Sequence, residues 1–308
     1  MRLGLPDSID IREVGMRDGL QLEEPVPLDA KLAMLEAIVA TGVRRVEVTS
    51  FVSPKAVPAL ADADEVAKHL GGWPDVHFSA LVANVRGATR AIDAGIANLE
   101  YVVSAADSHS LANAGRKTAD AAAAISEIAE LAHRAGGSLE VIIATAWDCP
   151  FDGPTDPART LDVVRSAVRQ GADQLCLGDT IGTVTPQRTV SLIDAVRAEA
   201  PGRAVGVHFH DTRGTGQANA LAAILNGVAQ LDASVGGLGG CPFAPGASGN
   251  IATEELVYWT QDAGIESGLD LAAVLAAAAV TERAVGHSLP SSLYRAGGRS
   301  VPRGRYQP

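Results

Sequence analysis

Eight times along this chain a short run of apolar and β-branched residues is followed by a stretch of helical periodicity. The runs are IDIREV (9–14), VRRVEVTS (43–50), VHFSALV (76–82), NLEYVVS (98–104), LEVIIATA (139–146), QLCLG (174–178), AVGVHFH (204–210) and QLDASVGG (230–237). The helical stretches cover 28–41, 61–70, 86–94, 116–135, 156–170, 186–199 and 217–229, with an eighth starting near Asn250. Gly42, Gly95, Gly136 and Gly171 each stand between a helical stretch and the next strand, where a helix C-terminus favours glycine. Regular β/α alternation predicts a parallel sheet. Eight units in 308 residues predict an α/β fold that closes into a single (β/α)8 TIM barrel, with a doubly wound open sheet as the rival. A further pattern at 270–286 predicts an extra C-terminal helix. Residues 1–286 are therefore expected to form one catalytic barrel domain, and 287–308, ending in a Gly/Arg-rich stretch, a flexible tail.

Charge and composition narrow the function. The net charge is -11, which disfavours nucleic acid and anionic membranes as partners. No apolar run approaches the roughly 18 residues of a membrane span, and MRLGLPDSIDIREV lacks a signal core. Cys149, Cys176 and Cys241 are too few for a disulfide framework, so a cytoplasmic location is expected.

In such barrels the chemistry gathers where the strands end. Strand one leads into Arg17 and Asp18, strand two into Glu47, Thr49 and Ser50, and strand four into Ser104, Asp107 and Ser108. Strand six ends at Asp179 and Thr180, strand seven at His208, His210 and Asp211, and strand eight in the loop GGLGGCPFAPGASGN. The opposite rim is expected to carry little but glycines and helix ends. His208 and His210, two apart on a strand, project together. With Asp18 and the amide of Asn250 they offer a mixed N/O set that suits a divalent metal, Mg or Mn above Fe or Zn. The alternative is a histidine pair hydrogen-bonded within the core. Asp211 reads as a helix cap or as a group that orients an imidazole. Arg17 is placed to neutralise a developing oxyanion, and Arg17, Thr180 and Ser50 are the candidates for holding substrate. Cys241, in a hinge-capable glycine-rich loop, is a candidate proton donor. Cys176 reads as core, Cys149 stays open, and His69, His77, His109, His133 and His287 read as packing or surface residues.

EVGMRDGLQ, VEVTSFVSPKAVP, LGDTIGTVTP, HFHDTRG and GLGGCPFAPGASGNIATEELVY, in this order, resemble the 3-hydroxy-3-methylglutaryl-CoA lyase family over residues 9–285. The resemblance implies a barrel that uses Mg or Mn to cleave a 3-hydroxyacyl-CoA into acetyl-CoA and acetoacetate or another keto acid. It implies Asp18, His208, His210 and Asn250 as metal ligands and Arg17 as the enolate stabiliser. Glu47 would shape the site, Cys241 would be the mobile-loop cysteine with His208 as an alternative proton donor, and a homodimer is expected. Asp18 is a candidate base, and Lys55, Arg86, Arg116 and Lys117 are candidates for the coenzyme's phosphates. The chain departs from the family at Met16, Leu22, Ala56, Ile142 and Arg213, near the expected mouth. A lyase for another thioester of citramalyl type, or a metal-dependent 4-hydroxy-2-oxo acid aldolase, remains as the alternative.

Overall fold

A computed structural model describes residues 4–240 and 249–298. Eight parallel strands close into a barrel: β1 (Asp10–Glu13), β2 (Arg45–Phe51), β3 (His77–Val82), β4 (Asn98–Ser104), β5 (Leu139–Ala144), β6 (Gln174–Asp179), β7 (Ala204–Phe209) and β8 (Gln230–Ala233). Each pairs with its sequence neighbours, and β8 pairs back onto β1, with Asp232 opposite Arg12 and His208 opposite Asp232. The closed barrel expected from the eight repeats is the one observed.

The helices are α1 (Leu28–Val39), α2 (Ala63–Ala67), α3 (Val85–Asp93), α4 (Asp107–Ala114), α5 (Thr118–Ala122), α6 (Ile125–Arg134), α7 (Pro157–Arg169), α8 (Pro186–Glu199), α9 (Gly216–Leu225), α10 (Thr253–Asp262), α11 (Leu271–Val285) and α12 (Ser292–Ala296). No helix among the described residues is long and apolar enough to cross a membrane. Three expectations change. The helix placed at 61–70 shrinks to α2 between single turns at Pro58–Leu60 and Leu70–Gly72, because proline and glycine bound it. The alanine-rich stretch 116–135 is two helices, because the Tyr101 hydroxyl donates to the Ala121 carbonyl at 2.9 Å and Gln170 Nε2 to the Ala122 carbonyl at 2.9 Å. Those acceptors would otherwise serve the next helical turn. The segment 287–298, expected to belong to a flexible tail, carries α12. Its N-cap Ser291 accepts from the Tyr294 amide at 3.1 Å and donates to Glu255 at 2.8 Å. Tyr294 donates to Glu282 on α11 at 2.9 Å.

Every second residue of a strand faces the helices. Ile11, Val46, Leu99, Tyr101, Val141, Ile143, Leu175, Val207, Phe209 and Leu231 do so and form the apolar shell of the protein with the helices' inner faces. The residues between them point inward; Arg12, Glu47, Glu100, Glu140, His208 and Asp232 among them are polar, while Val102 and Ile142 are apolar. Arg12 on β1 reaches across the barrel to Glu100 on β4 at 2.7 Å, to Glu140 on β5, and to Asp232 on β8 at 2.8 Å. Nearer the strand starts, Arg45 binds Asp10 at 3.0 Å and Gln174 at 3.2 Å. The rim expected to be plain is therefore a second polar layer beneath the site. Burial works against the Arg12 charge, but the three carboxylates outweigh it and hold its pKa above the usual arginine range.

Removing one side of such a cluster leaves uncompensated buried charge, which costs about 3–5 kcal/mol. Arg12→Leu is expected to lower stability by that amount at pH 8, read from urea midpoints at unchanged m-value. The gap should narrow as the pH falls toward 5, because burial raises the Glu140 carboxyl and its protonation then relieves part of the uncompensated charge. A gap independent of pH would show that the cluster is not what holds the barrel interior.

Candidate active site

The chain leaves β1 through a wide turn, Gly15–Gly19, in which the amides of Arg17, Asp18 and Gly19 all donate to the Val14 carbonyl at 3.1, 2.8 and 3.2 Å. Glu13 fixes this turn. Its Oε1 accepts from the Gly15 amide at 2.8 Å and from the Val235 amide at 2.8 Å, and its Oε2 accepts from the Thr253 hydroxyl at 2.6 Å. A side chain at position 15 would meet Glu13 Oε1 at 2.7 Å, so the turn needs glycine there. Burial pushes the Glu13 carboxyl up to about 7 against these hydrogen bonds.

The turn aims Arg17 and Asp18 at the ends of β7 and β8. Asp18 Oδ2 lies 3.7 Å from His210 Nε2 and 4.0 Å from His208 Nε2, and the two Nε2 atoms are 3.1 Å apart. All three side chains are buried, and their ligand atoms lie within 4.8 Å of one another. Ligands about 2.1 Å from a six-coordinate cation stand about 3.0 Å apart when adjacent, which is the separation of the two imidazoles. His208 Nδ1 is 3.0 Å from Asp232 Oδ2, an arrangement that fixes the ring and turns the Nε2 lone pair outward. Asn250 Nδ2 donates to Asp18 Oδ2 at 2.8 Å and to the Leu238 carbonyl at 3.1 Å, while its buried Oδ1 has no hydrogen-bond partner among the described residues. An orphaned acceptor beside a carboxylate and two ring nitrogens fits a cation.

Electrostatics support the same reading. Burial opposes the Asp18 charge, yet Arg17 and the two histidines outweigh it and hold its pKa far below the usual carboxylate range. Burial also opposes protonation of His208, but Asp232 and Asp18 raise its pKa. Arg17 binds Asp18 Oδ1 at 2.5 Å and Glu47 Oε1 at 2.6 Å. Glu47 is wholly buried behind Arg17 and is not part of the cleft wall.

A cleft of about 720 Å³ opens over this group. Arg17, Asp18, Gln21, His208 and His210 form one side, and Leu81, Val102, Ile142, Ala144 and Gly178 an apolar side. Thr180, His109, Asn113 and Gly240 complete it. The sequence candidates Arg17, Asp18, His208, His210 and Asn250 are thus brought together, and Thr180 joins the rim, accepting from the Thr145 amide at 2.7 Å. Ser50 is buried and does not line the cleft. Asp211 caps the start of α9 through the Gly216 amide at 2.7 Å, and it is Asp232 that holds the His208 imidazole. Arg213 donates to the carbonyls of Ile181 and Gly182 at 2.7 and 3.2 Å. Cys176 is buried in the barrel, with Asp232 nearby at 4.0 Å. Lys55, Arg86, Arg116 and Lys117 do not line the cleft. Cys241 lies outside the described residues.

Sequence reasoning missed Asp232 and His109. Asp232 had a signal: a carboxylate in an apolar strand, on the inward parity that also carries Arg12, Glu100 and Glu140. His109, taken as packing or surface, sits on the unforeseen helix α4 with Asn113 one turn later.

The chain is similar to known proteins along nearly its whole length. It is 36% identical over 288 residues to the hydroxymethylglutaryl-CoA lyase of Bacillus subtilis, spanning 93% of this chain and 96% of that protein. It is 38% identical over 302 residues to the (R)-citramalyl-CoA lyase of Chloroflexus aurantiacus, spanning 94% and 95%. The structure of an HMG-CoA lyase from Acinetobacter baumannii, in complex with coenzyme A and 3-methylmalate, superposes with a TM-score of 0.91 at 37% identity, covering 96% of each chain. The HMGL-like family model matches residues 8–281, and by that match and these relatives the chain belongs to the HMGL-like family.

Proposed function

We propose that this protein is a divalent-metal-dependent carbon–carbon lyase. It cleaves 3-hydroxy-3-methylglutaryl-CoA, or a similarly branched 3-hydroxyacyl-CoA, to acetyl-CoA and acetoacetate or another keto acid. One observation carries the reading: Asp18, His208 and His210 converge, beside a buried arginine, on one side of a cleft with an apolar wall. Those three residues, with Asn250 Oδ1, would hold the metal, Mg or Mn by their hard oxygen and imidazole donors. The metal would supply Lewis acidity to the substrate oxygens.

The chain's own residues account for the rest. As the C2–C3 bond breaks, negative charge moves onto the thioester oxygen, and Arg17, kept in place by Glu47, faces that charge. Glu47 is thus a positioning residue. Asp18, besides serving as ligand, is the candidate base that takes the C3 hydroxyl proton as the new carbonyl forms, and its ion pair with Arg17 weakens it in that role. Leu81, Val102 and Ile142 exclude water from the side where the enolate forms. Cys241 follows Gly240, which lines the cleft, and is the proposed donor of the proton that completes acetyl-CoA. The likeness to a citramalyl-CoA lyase favours a citramalyl-type thioester as the second substrate reading. The sparse cysteines and the Bacillus relative support a cytoplasmic setting.

Acetyl-CoA release should be measured from 3-hydroxy-3-methylglutaryl-CoA and citramalyl-CoA with Mg, with Mn and with a chelator. Metal-dependent release from at least one is expected. No release from any thioester, together with cleavage of a CoA-free 4-hydroxy-2-oxo acid, would point to an aldolase. His210→Ala should lose turnover by more than about 100-fold and lose metal binding by calorimetry, with its melting temperature preserved. Full activity in that variant would remove His210 from the site. Asp232→Asn should weaken metal binding by about 10–100-fold, since it deprives His208 of the group that orients it. Unchanged affinity would show that the Asp232 charge does not orient the His208 ring.

A further inference from the structure

His109 stands in the cleft wall with a tautomer that its neighbours dictate. The ring is buried on α4, and its Nδ1 lies 3.0 Å from Ser104 Oγ. Ser104 Oγ is in turn 2.9 Å from Thr145 Oγ1, and Thr145 donates its only hydroxyl proton to the Ala144 carbonyl at 2.7 Å. Between the two hydroxyls the shared proton must therefore come from Ser104. Ser104 then has none left for the imidazole, and it also accepts from the Ala106 amide at 3.4 Å. Nδ1 must be the donor, so the lone pair of the neutral ring lies on Nε2. Burial lowers the His109 pKa to about 4, so the ring is neutral at pH 7.

The network is held with some strain. Thr145 has φ 53°, the left-handed region, and it is the one non-glycine residue with positive φ among the described residues. Such a conformation costs of order 1–3 kcal/mol and persists where surrounding contacts over-determine it. Here those contacts are the Thr145 amide to Thr180 Oγ1 at 2.7 Å and the hydroxyl pair just described. On the neighbouring strands the lining is Leu81, Val102, Ile142 and Ala144, which offer no side-chain polar group.

We propose that His109 is a specificity residue, whose Nε2 accepts a hydrogen bond from an N–H or O–H donor of the bound thioester. This rests on the lyase reading and extends it. Two parts of a hydroxyacyl-CoA offer that chemistry: an amide N–H of the pantetheine arm, and a hydroxyl on the acyl group. A bare anionic oxygen gains nothing from this ring, because presenting Nε2–H would require Ser104 to give its proton up to Nδ1.

The test compares wild type with His109→Leu, His109→Gln and Ser104→Ala. Leu keeps the bulk and removes the acceptor; Gln keeps an acceptor; Ser104→Ala leaves the ring but frees its tautomer. His109→Leu is expected to lose about five- to tenfold in kcat/KM for the cleaved thioester, the worth of one hydrogen bond. His109→Gln should recover part of that loss, and Ser104→Ala should lose about two- to threefold. Acetyl-CoA binding by calorimetry separates the two sources. An equal loss of acetyl-CoA affinity in His109→Leu assigns the donor to the pantetheine arm. An unchanged acetyl-CoA affinity, with the loss confined to hydroxyacyl substrates, assigns it to the acyl group. The inference is overturned if His109→Leu keeps wild-type kcat/KM and acetyl-CoA affinity, or if Gln loses as much as Leu while both melt like wild type. If His109→Leu does not fold, the Gln and Ser104→Ala variants decide: wild-type kcat/KM in Ser104→Ala overturns it. Wild type that cleaves no thioester defeats the lyase reading instead, and acetyl-CoA binding still reads the role of His109.

Discussion

A single guanidinium enclosed by three carboxylates governs the interior of this barrel. Arg12 ties β1 to β4, β5 and β8, and its partner Asp232 also orients His208. From there the chain of contacts continues through the imidazole pair to Asp18, Arg17 and Glu47. Five carboxylates (Asp18, Glu47, Glu100, Glu140 and Asp232) thus meet two guanidiniums in one connected buried set. Buried carboxylates in excess of the guanidiniums favour taking up positive charge, either as protons, toward which burial pushes Glu47 and Glu140, or as a cation. Any affinity of this group for a metal would in this sense be a property of the whole barrel interior.

The division of labour between the strand faces follows from the same constraint. A barrel whose inside were as apolar as its outside would be more stable, since well-packed hydrophobic residues match or exceed buried ion pairs. Here the apolar shell between strands and helices carries the stability. The inside is left to groups that orient one another, and each carboxylate is specified by at least one named partner. Because those partners come from different strands, strand register and site geometry are fixed together.

Much of this was legible in the residues. The eightfold alternation gave the closed sheet, and the H-x-H spacing gave the shared facing of His208 and His210. Asp18 and Arg17 were placed by their position after the first strand. What escaped was what distance in sequence hides. Asp232 and Arg12 are 220 residues apart, and only closure of the barrel makes them partners. Helix α4 escaped because DSHSLANA lacks an apolar stripe and its burial depends on the cleft beneath it. The break at Ala123 and Ala124 escaped for a different reason: local propensity favours a continuous helix there, and a tyrosine and a glutamine from other elements claim its carbonyls.

Glu13 clasps two loops that are more than 200 residues apart, through the amides of Gly15 and Val235 and the hydroxyl of Thr253. The turn bearing Arg17 and Asp18 and the stretch leading to Gly240 therefore register against one another through a single side chain. Transplanting either loop from a cousin enzyme without this carboxylate and its threonine would bring the right letters in the wrong alignment. In this scaffold the two loops are exchangeable only as a pair.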